Sequence, residues 1–434
     1  MRRKVHILYK YDTKDNLNFQ RNNYVTIAIF CFLALSIIMI NGSALYNRSL
    51  IASSYAQESG LSSSNTNTNT PTFMGVAMKG NYTSDKEIGE DSDDIAPSNY
   101  YEDSFKLIHD AGMNHVRYLL YWESYEKNPS EFMEELATVA EIADKWGLKV
   151  LYDNHQWHTA SWLESRATGF PSFLFEGNPE LEMDSGGNTN DEAASIWWTD
   201  WWNRSVKDTS GNDGWSLLSE FLTKLVNTLD THPSTLGYEI LSEPQIHSDE
   251  QWEKVGQFNT FMVNELRKVT QKTIAFSQQV PASINAPNID VIPENQAKMV
   301  PANKNNVVFK ISLYGVSTDS FQKARLDGLV EAAQLAGVPI YVGEWNNVVR
   351  EREGGTFRIS PEASDLTQED TNLFLQDFKK LGVWGWAFWR WNLNAHNVPN
   401  FNLISISDDG SVEPTKYYEQ LQRAISEVDG QTPS

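Results

Sequence analysis

The sequence predicts an α/β domain in which eight parallel strands, each followed by a helix, close into a barrel. From Phe73 onward, short apolar strands alternate with amphipathic segments of about 12 to 20 residues. The eight strands are predicted to begin near Phe73, Asn114, Leu148, Thr235, Lys272, Asn306, Val338 and Val383. About 360 residues follow Thr72, enough for a single (β/α)8 TIM barrel with insertions. An open doubly wound sheet is the competing fold, but the first strand lacks the Gly-rich phosphate loop that such a sheet carries.

The chain begins with a basic leader and an uncharged apolar run. Residues 1–23 carry six Lys and Arg side chains, and residues 24–40 carry no charge. Basic residues before an apolar segment favour export of the chain that follows. At 17 residues, the run lies between the length of a long signal-peptide core and that of a short membrane span, so both alternatives stay open. We therefore assign residues 1–52 to a signal peptide or membrane anchor. The protein is predicted to be extracellular, either secreted or held on the outer face of the membrane by residues 24–40, with no other membrane contact.

A polar linker is predicted to separate this leader from the barrel. Residues 53–71 are rich in Ser, Asn and Thr and end in an Asn-Thr repeat. Such a composition cannot bury a core and is typical of a flexible tether. The barrel domain is therefore assigned to residues 72–434.

Glycine and hydroxyl residues indicate where the helices end and begin. A glycine just past a helix end adopts the left-handed conformation at little cost and turns the chain towards the next strand. Four such glycines are Gly112, Gly147, Gly337 and Gly382. Three predicted N-caps are Ser130, Ser248 and Thr367.

Two glutamates stand at the ends of predicted strands 4 and 7. Glu243 precedes Pro244 after strand 4, and Glu344 follows Gly343 in strand 7. In such a barrel, chemistry is carried by the C-terminal ends of the strands. Retaining cleavage of a glycosidic bond needs two carboxyl groups about 5 to 5.5 Å apart, one as nucleophile and one as proton donor. We therefore expect these two carboxyl groups to face each other across the barrel mouth.

On these motifs the chain resembles glycoside hydrolase family 5, the cellulase and mannanase family of retaining enzymes, over roughly residues 73 to 425. Ser242-Glu243-Pro244 is similar to the family's strand-4 motif, and Gly343-Glu344-Trp345 to its strand-7 motif of Gly-Glu-aromatic. The resemblance implies that Glu243 is the acid/base and Glu344 the nucleophile. It also places the family's further substrate-site residues on Arg117, His155, Tyr314 and Trp389.

Physical roles for these residues can be stated as expectations. Arg117 and Tyr314 are expected to donate hydrogen bonds to the nucleophile, and the charge of Arg117 keeps a carboxylate ionised. Trp389 is expected to form the floor of the subsite for the sugar being cleaved, because a pyranose packs on an indole face. Trp345 is also predicted to contact the substrate.

The chain departs from the family pattern at two positions. Ser242 stands where the family has an Asn that contacts the sugar, and Ser312 stands where it has a His. Serine keeps a hydroxyl with a shorter reach, so Ser242 is still predicted to bind the substrate. One interpretation is an altered sugar preference, and the other is a weakly active or inactive relative.

A long insertion between strand 3 and its helix, residues 156–213, is rich in tryptophan. It contains Trp157, Trp162, Trp197, Trp198, Trp201 and Trp202. Long loops are usually functional or disordered, and disordered segments avoid aromatic residues. We therefore expect an ordered wall of the cleft whose indoles, Trp157 among them, bind sugars, although not all four of the paired indoles Trp197, Trp198, Trp201 and Trp202 can do so. A small satellite core that packs its own indoles is the alternative.

The charge balance limits the class of partner. The formal net charge is −22, with 35 Lys and Arg against 57 Asp and Glu, which argues against nucleic-acid binding. An acidic surface suits a neutral polysaccharide better than a polyanion. We expect an exported, monomeric enzyme of endo-glucanase or mannanase type, acting on a β-linked oligo- or polysaccharide without a cofactor or metal.

Two rival functions stay open. A metal-dependent hydrolase could use His155 and His158 near Asp153, although the first strand lacks the histidines that such sites require. A non-catalytic cell-surface protein could bind glycans through its tryptophans.

Overall fold

The structure of the protein is a computed structural model. It describes residues 71–83, 99–163, 167–176, 191–278, 280–281, 292–315, 320–353, 356–360, 364–392, 401–407 and 410–428. The predicted leader and nearly all of the predicted linker lie outside these residues. Within the described part of the chain, no helix has the length and apolar character needed to cross a membrane.

Eight parallel strands form a closed barrel, as the sequence predicts. The strands are β1 (Phe73–Lys79), β2 (His115–Leu120), β3 (Lys149–Asn154), β4 (Thr235–Glu239), β5 (Thr273–Ser277), β6 (Val307–Tyr314), β7 (Ile340–Asn346) and β8 (Gly385–Phe388). They pair in chain order around the barrel, and β1 closes it by pairing with both β2 and β8. Each strand begins within two residues of its predicted start.

Ten helices are described around and beside the strands. They are α1 (Tyr100–Asp110), α2 (Trp122–Lys127), α3 (Pro129–Trp146), α4 (Asp191–Trp202), α5 (Gly214–Leu229), α6 (Gln251–Leu266), α7 (Pro293–Ala297), α8 (Ser320–Ala336), α9 (Gln368–Leu381) and α10 (Lys416–Val428). Three short two-stranded sheets lie outside the barrel, one of them pairing Arg350–Glu353 with Thr356–Ile359.

The predicted helix ends are confirmed, and the predicted helix starts only in part. All four predicted capping glycines have positive φ, from 64° at Gly382 to 79° at Gly112. Thr367 caps α9 in a reciprocal capping box with Asp370. The predictions for Ser130 and Ser248 are wrong, because α3 begins one residue before Ser130 at a proline and α6 begins three residues after Ser248. Proline at a first helical position needs no backbone donor, which explains the earlier start of α3.

The inside of the barrel has an apolar layer near the N-terminal ends of the strands. It is formed by Leu151, Ala275, Val308, Tyr341 and Ala387, with Leu236 and Trp384 packed against it. Side chains alternate between the two faces of a strand, so the next inward positions lie closer to the C-terminal rim. Those positions carry charged and polar groups, which form the site described below.

Four tryptophans of the insertion belong to the core between helices. Trp197, Trp198, Trp201 and Trp202 all lie on α4, and each is at most 2% exposed. Trp197 stacks on Trp201 at 5.3 Å and Trp198 on Trp202 at 5.5 Å, while Phe258 of α6 packs edge-on against the second of each pair. The prediction that some of these indoles bind sugars is therefore wrong, because each of the four is buried and none presents a face to a ligand. Their mutual packing agrees with the alternative of a packed core.

Candidate active site

Strand β6 directs three polar side chains to the inside of the barrel. Lys310, Ser312 and Tyr314 alternate with apolar residues that face the helices, among them Phe309 and Ile311. This period of two is the geometry of a regular strand. The three side chains therefore follow one another along the inward face towards the rim.

A bulge in β7 turns Glu344 towards the same interior. Ile311 pairs with Val342, but Ser312 pairs with Glu344, so β7 contains one extra residue at Gly343. The opposite edge of β7 shows the same irregularity against β8. A bulge places two successive residues on one face of a strand and re-aims the side chains that follow. In a regular strand, residues three positions apart face opposite sides. Because of the bulge, Tyr341 and Glu344 both point into the barrel.

The same bulge corrects the prediction for Trp345. Its indole is fully buried and packs on Phe374 and Phe378 of α9 and on Phe388 of β8. Trp345 therefore belongs to the layer between the barrel and its helices. The prediction that it contacts the substrate is wrong, because the extra residue places it on the outer face.

Glu344 receives three hydrogen bonds from positive or hydroxyl donors. Lys310 Nζ donates to its Oε1 at 2.8 Å, Arg117 Nη1 to the same oxygen at 3.1 Å, and Tyr314 Oη to Oε2 at 2.5 Å. Burial raises the pKa of Glu344, but the charges of Lys310 and Arg117 outweigh it and hold the pKa well below its usual range. The group is thus kept as a carboxylate, as the prediction for a nucleophile requires.

Glu243 lies in the turn after β4 with its side chain partly exposed, at 20%. Its backbone is left-handed, with φ of 44°, a conformation that costs a non-glycine residue free energy and must be held by its surroundings. Ser277 Oγ accepts from its backbone N at 3.0 Å, and Gln156 Nε2 donates to its carbonyl oxygen at 2.8 Å. These contacts fix the direction in which the carboxyl group leaves the chain.

The two predicted catalytic carboxyl groups approach the same ammonium group. Lys310 Nζ is 2.8 Å from Glu344 Oε1 and 4.0 Å from Glu243 Oε1. The two Oε1 atoms can therefore be at most about 6.8 Å apart, the sum of those two distances. An Oε1–Oε1 distance of at most about 6.8 Å is compatible with the separation of about 5 to 5.5 Å found in retaining enzymes. It excludes most of the range of about 6.5 to 9.5 Å found in inverting enzymes.

Arg117 of β2 contacts Glu344 and two further carboxylates. It makes a two-pronged bond with Glu239 at 2.9 and 3.1 Å, contacts Asp153 at 2.8 Å, and reaches Glu344 at 3.1 Å. Burial lowers the pKa of Arg117, but the three carboxylates raise it well above its ordinary value. Burial and the neighbouring Asp153 raise the pKa of Glu239 in spite of the Arg117 charge. The predicted contact between Arg117 and Glu344 is present.

His155 and Trp389 lie side by side near the rim. The His155 ring stacks on Trp389 with centroids 5.6 Å apart and planes inclined by 22°, and its Nδ1 lies 2.8 Å from Asp153 Oδ2. Trp389 is half-buried, and the Arg390 guanidinium lies 4.9 Å from the centre of its ring. The indole is therefore fixed by its neighbours. Trp157, in contrast, is 51% exposed.

Ser242 and Ser312 both bind Lys310. Its Nζ donates to Ser242 Oγ at 3.1 Å and to Ser312 Oγ at 2.9 Å, and Arg117 Nη2 donates to Ser242 Oγ at 3.0 Å. Ser242 is fully buried and Ser312 nearly so. The prediction that Ser242 binds a sugar disagrees with the structure, since its hydroxyl is occupied by these two cations and has no exposed surface.

Three buried charged residues of this network were not predicted: Asp153, Glu239 and Lys310. For two of them a signal exists in the sequence. Lys310 lies two residues before Ser312, and Asp153 two residues before His155, on the same face of otherwise apolar strands. Counting back by two from each predicted site residue would have found both.

Comparison with known proteins adds the family to this geometry. The family model "Cellulase (glycosyl hydrolase family 5)" matches residues 75–395. A search with the sequence found no match among curated proteins.

Solved structures of similar fold include an endogalactoceramidase, with 16% identity and a TM-score of 0.59 over 82% of this chain and 80% of that one. Endo-glycoceramidase II from Rhodococcus sp. has 15% identity and a TM-score of 0.56 over 81% and 78% of the two chains. An endo-β-1,4-glucanase from Xanthomonas axonopodis pv. citri has 14% identity and a TM-score of 0.51 over 82% and 99%. At these identities the likeness shows the fold alone.

Proposed function

Because this chain belongs to the cellulase family, glycosyl hydrolase family 5, and is a glycoside hydrolase, we propose that it cleaves β-linked oligo- or polysaccharides with retention of configuration. Glu344 is the nucleophile and Glu243 the acid/base. The observation that carries the proposal is the common position of both carboxyl groups beside Lys310, with their Oε1 atoms at most about 6.8 Å apart. Such a separation leaves room for one sugar bond between them.

In the first step a Glu344 oxygen attacks the anomeric carbon while Glu243 gives its proton to the leaving glycosidic oxygen. The bond to the leaving sugar breaks and an ester bond to Glu344 forms. In the second step Glu243, now a carboxylate, takes a proton from a water molecule that attacks the same carbon and releases Glu344. Two inversions at this carbon give net retention.

The donors around Glu344 support this role. Lys310, Arg117 and Tyr314 hold a carboxylate in a fixed orientation, so little reorganisation is needed before attack. His155 and Trp389 line the position of the sugar being cleaved. Trp157 is exposed enough to stack on a further sugar unit.

We propose that the protein is an endo-acting glucanase or mannanase. One protein of similar fold is an endo-β-1,4-glucanase and another is an endo-glycoceramidase, so glycosylceramides form a second substrate class to be measured. The test is a panel of soluble β-glucans, mannans, xylans and detergent-solubilised glycosylceramides, incubated with the full-length protein. Proton NMR of the first product shows whether the anomeric configuration is retained.

The Glu344→Gln variant is the decisive measurement. Replacing the nucleophile by an amide should lower kcat by on the order of 10⁴-fold or more on any substrate of the panel. Glu413→Gln removes an exposed carboxylate of a short sheet outside the barrel and should leave kcat unchanged. Glycan binding without product release, unchanged in Glu344→Gln, would favour the alternative of a non-catalytic glycan-binding protein.

Export is a separate part of the proposal. Residues 24–40 would carry the barrel across a membrane, and the linker would hold it away from the surface if the leader is retained. N-terminal sequencing of the protein from its host, together with protease treatment of intact cells, measures cleavage and exposure. A protease-resistant barrel that is released only on lysis would contradict export.

A further inference from the structure

Lys310 is a lysine with no exposed surface inside the barrel. Its Nζ donates to Glu344 Oε1 at 2.8 Å, to Ser312 Oγ at 2.9 Å and to Ser242 Oγ at 3.1 Å. An ammonium group has three N–H donors and no acceptor, so these three contacts use its whole capacity. A buried charge is costly unless it is paired and hydrogen-bonded, and this one is both.

The space for Lys310 is provided by small residues. A Cβ atom added at Gly343 would lie 2.7 Å from both Cγ and Cε of Lys310, closer than real contacts allow. Ser242 and Ser312 are short enough to leave room for the ammonium group and still offer it a hydroxyl oxygen. The glycine in the β7 bulge and both serines are therefore matched to one lysine.

We propose that Lys310 is a positioning residue for the nucleophile, and that Ser242, Ser312 and Gly343 form its seat. The larger Asn and His expected at 242 and 312 from the family resemblance would compete with this ammonium group for space. In this chain the lysine and its seat take their place, so the two serines mark a rearranged active site. The kinetic part of this inference depends on the proposed function, whereas its structural part can be measured without any substrate.

Other charged and titratable groups also act on Glu344. They are Arg117 from β2, Asp153 and His155 from β3 and its loop, Glu239 and Glu243 from β4 and its turn, and Tyr314 from β6. Arg117 remains beside Glu344 when Lys310 is replaced. The experiment must therefore isolate the interaction between Lys310 and Glu344.

A double-mutant cycle across pH does so without catalysis. The full-length chain in non-ionic detergent is unfolded by urea between about pH 3 and pH 7, as wild type, Glu344→Gln, Lys310→Met and the double variant. A carboxylate with a depressed native pKa stabilises the fold above its unfolded pKa and loses that contribution as pH falls. The difference between wild type and Glu344→Gln should therefore grow with rising pH.

The ratio of the unfolding constants of Glu344→Gln and wild type should change less between pH 3 and pH 7 in the Lys310→Met background, by a factor of about three or more. The exposed lysine of α5 gives the matched control, since Lys224→Met removes a charge at a distance and should leave the ratio unchanged. An equal ratio with and without Lys310 would overturn the inference, whatever the activity of the protein.

Kinetics on an active substrate give the second readout. Lys310→Met should lower kcat by on the order of 10- to 100-fold with little change in KM, because the lysine touches the nucleophile and has no exposed surface for a sugar. The acid limb of the kcat/KM profile should move to higher pH, because Glu344 must be ionised to attack. If wild type is active and Glu344→Gln is dead while Lys310→Met keeps both kcat and the acid limb, this inference fails and the proposed function stands.

Ser312→Ala covers the case in which Lys310→Met does not fold. Among the described side-chain contacts, the Ser312 hydroxyl binds Lys310, and its removal leaves every charge of the network in place. We expect a drop in kcat of about three- to tenfold with the acid limb unmoved, because the ammonium group loses an anchor but keeps its charge. An unchanged kcat in Ser312→Ala would contradict the proposal that Ser312 helps to hold Lys310 in place.

Discussion

Gln156 supports the strained turn that carries Glu243. Its Nε2 donates to the carbonyl oxygens of Ser242 and Glu243, at 3.1 and 2.8 Å, and its Oε1 accepts from Thr159 N at 2.8 Å. One buried amide therefore joins the loop after β3 to the turn after β4. Backbone strain persists only where the surroundings over-determine it, and Gln156 is part of that support.

We expect Gln156→Ala to lower kcat by roughly tenfold with a small change in KM, because Glu243, the proposed acid/base, would lose its fixed direction. The free energy of unfolding should fall by about 1 to 3 kcal/mol, since buried carbonyl groups lose their donor. Steady-state kinetics and urea unfolding measure the two effects. Gln257→Ala on the exposed side of α6 is the control, and equal kinetics for the two variants would refute this role.

At the scale of elements, the β7 bulge decides which side chain of a neighbouring pair serves the site. Glu344 and Trp345 are adjacent, yet one faces Lys310 and the other faces α9. Regular alternation from Tyr341 would place Trp345 inside and Glu344 outside. The chemistry of this rim thus depends on one extra residue in one strand.

Gly343→Ala should damage the site and the fold together. The new methyl group would meet the Lys310 stem at 2.7 Å and Arg117 Nε at 3.2 Å, so the cations that hold Glu344 must move. We expect a loss of about 1 to 3 kcal/mol in the free energy of unfolding and at least a tenfold loss of kcat. Gly328 in α8 has open space at the same test position, so Gly328→Ala should instead stabilise by about 0.5 to 1 kcal/mol. Thermal unfolding that shows the same sign for both variants would contradict this account.

At this scale, the features that the sequence predicts correctly are those determined by interactions between residues close together in the chain. The capping glycines and Thr367 act through their own turn of chain, and their positions are confirmed. The bulge is set by pairing with β6 and β8, which no local pattern reports, so the sequence alone does not show that Trp345 faces the helices. The indoles of α4 were misplaced for a similar reason, because their burial depends on packing against α6.

For the whole molecule, barrel closure brings distant residues to one rim. Glu243 and Glu344 come from strands on different sides of the barrel and meet at Lys310 from a third strand. The order of the eight strands was predictable because each βα unit repeats the same pattern. The ionic layer below the rim was not, since a charged residue within a strand reveals its partners only when the barrel is closed.

Closure also buries a histidine whose titration should govern stability in acid. His115 is fully buried, with its ring nitrogens 3.1 Å from the Lys149 carbonyl oxygen and 2.6 Å from Tyr341 Oη. Burial lowers the pKa of His115 to about 3. The unfolded chain takes up this proton near pH 6.5 and the native protein does not, so stability should fall as pH falls from 7 to 4.

The contribution of His115 to that fall is on the order of 3 kcal/mol at pH 4. His115→Gln should be less stable at pH 7 but should lose less stability on acidification, as measured by urea unfolding at both pH values. Gln257→Ala, at an exposed position of α6, removes no titratable group and should keep the wild-type pH dependence. An identical acid-induced loss in His115→Gln and wild type would show that other groups are responsible.

The ionic layer formed by Arg117, Asp153, Glu239, Lys310 and Glu344 links five of the eight strands. The ordering of these side chains is completed when the chain folds, so an arriving sugar meets an electric field that is already in place. Binding energy from the sugar is therefore not needed to arrange Glu344, the proposed nucleophile. It can be used instead to distort the sugar ring towards the planar geometry of its transition state.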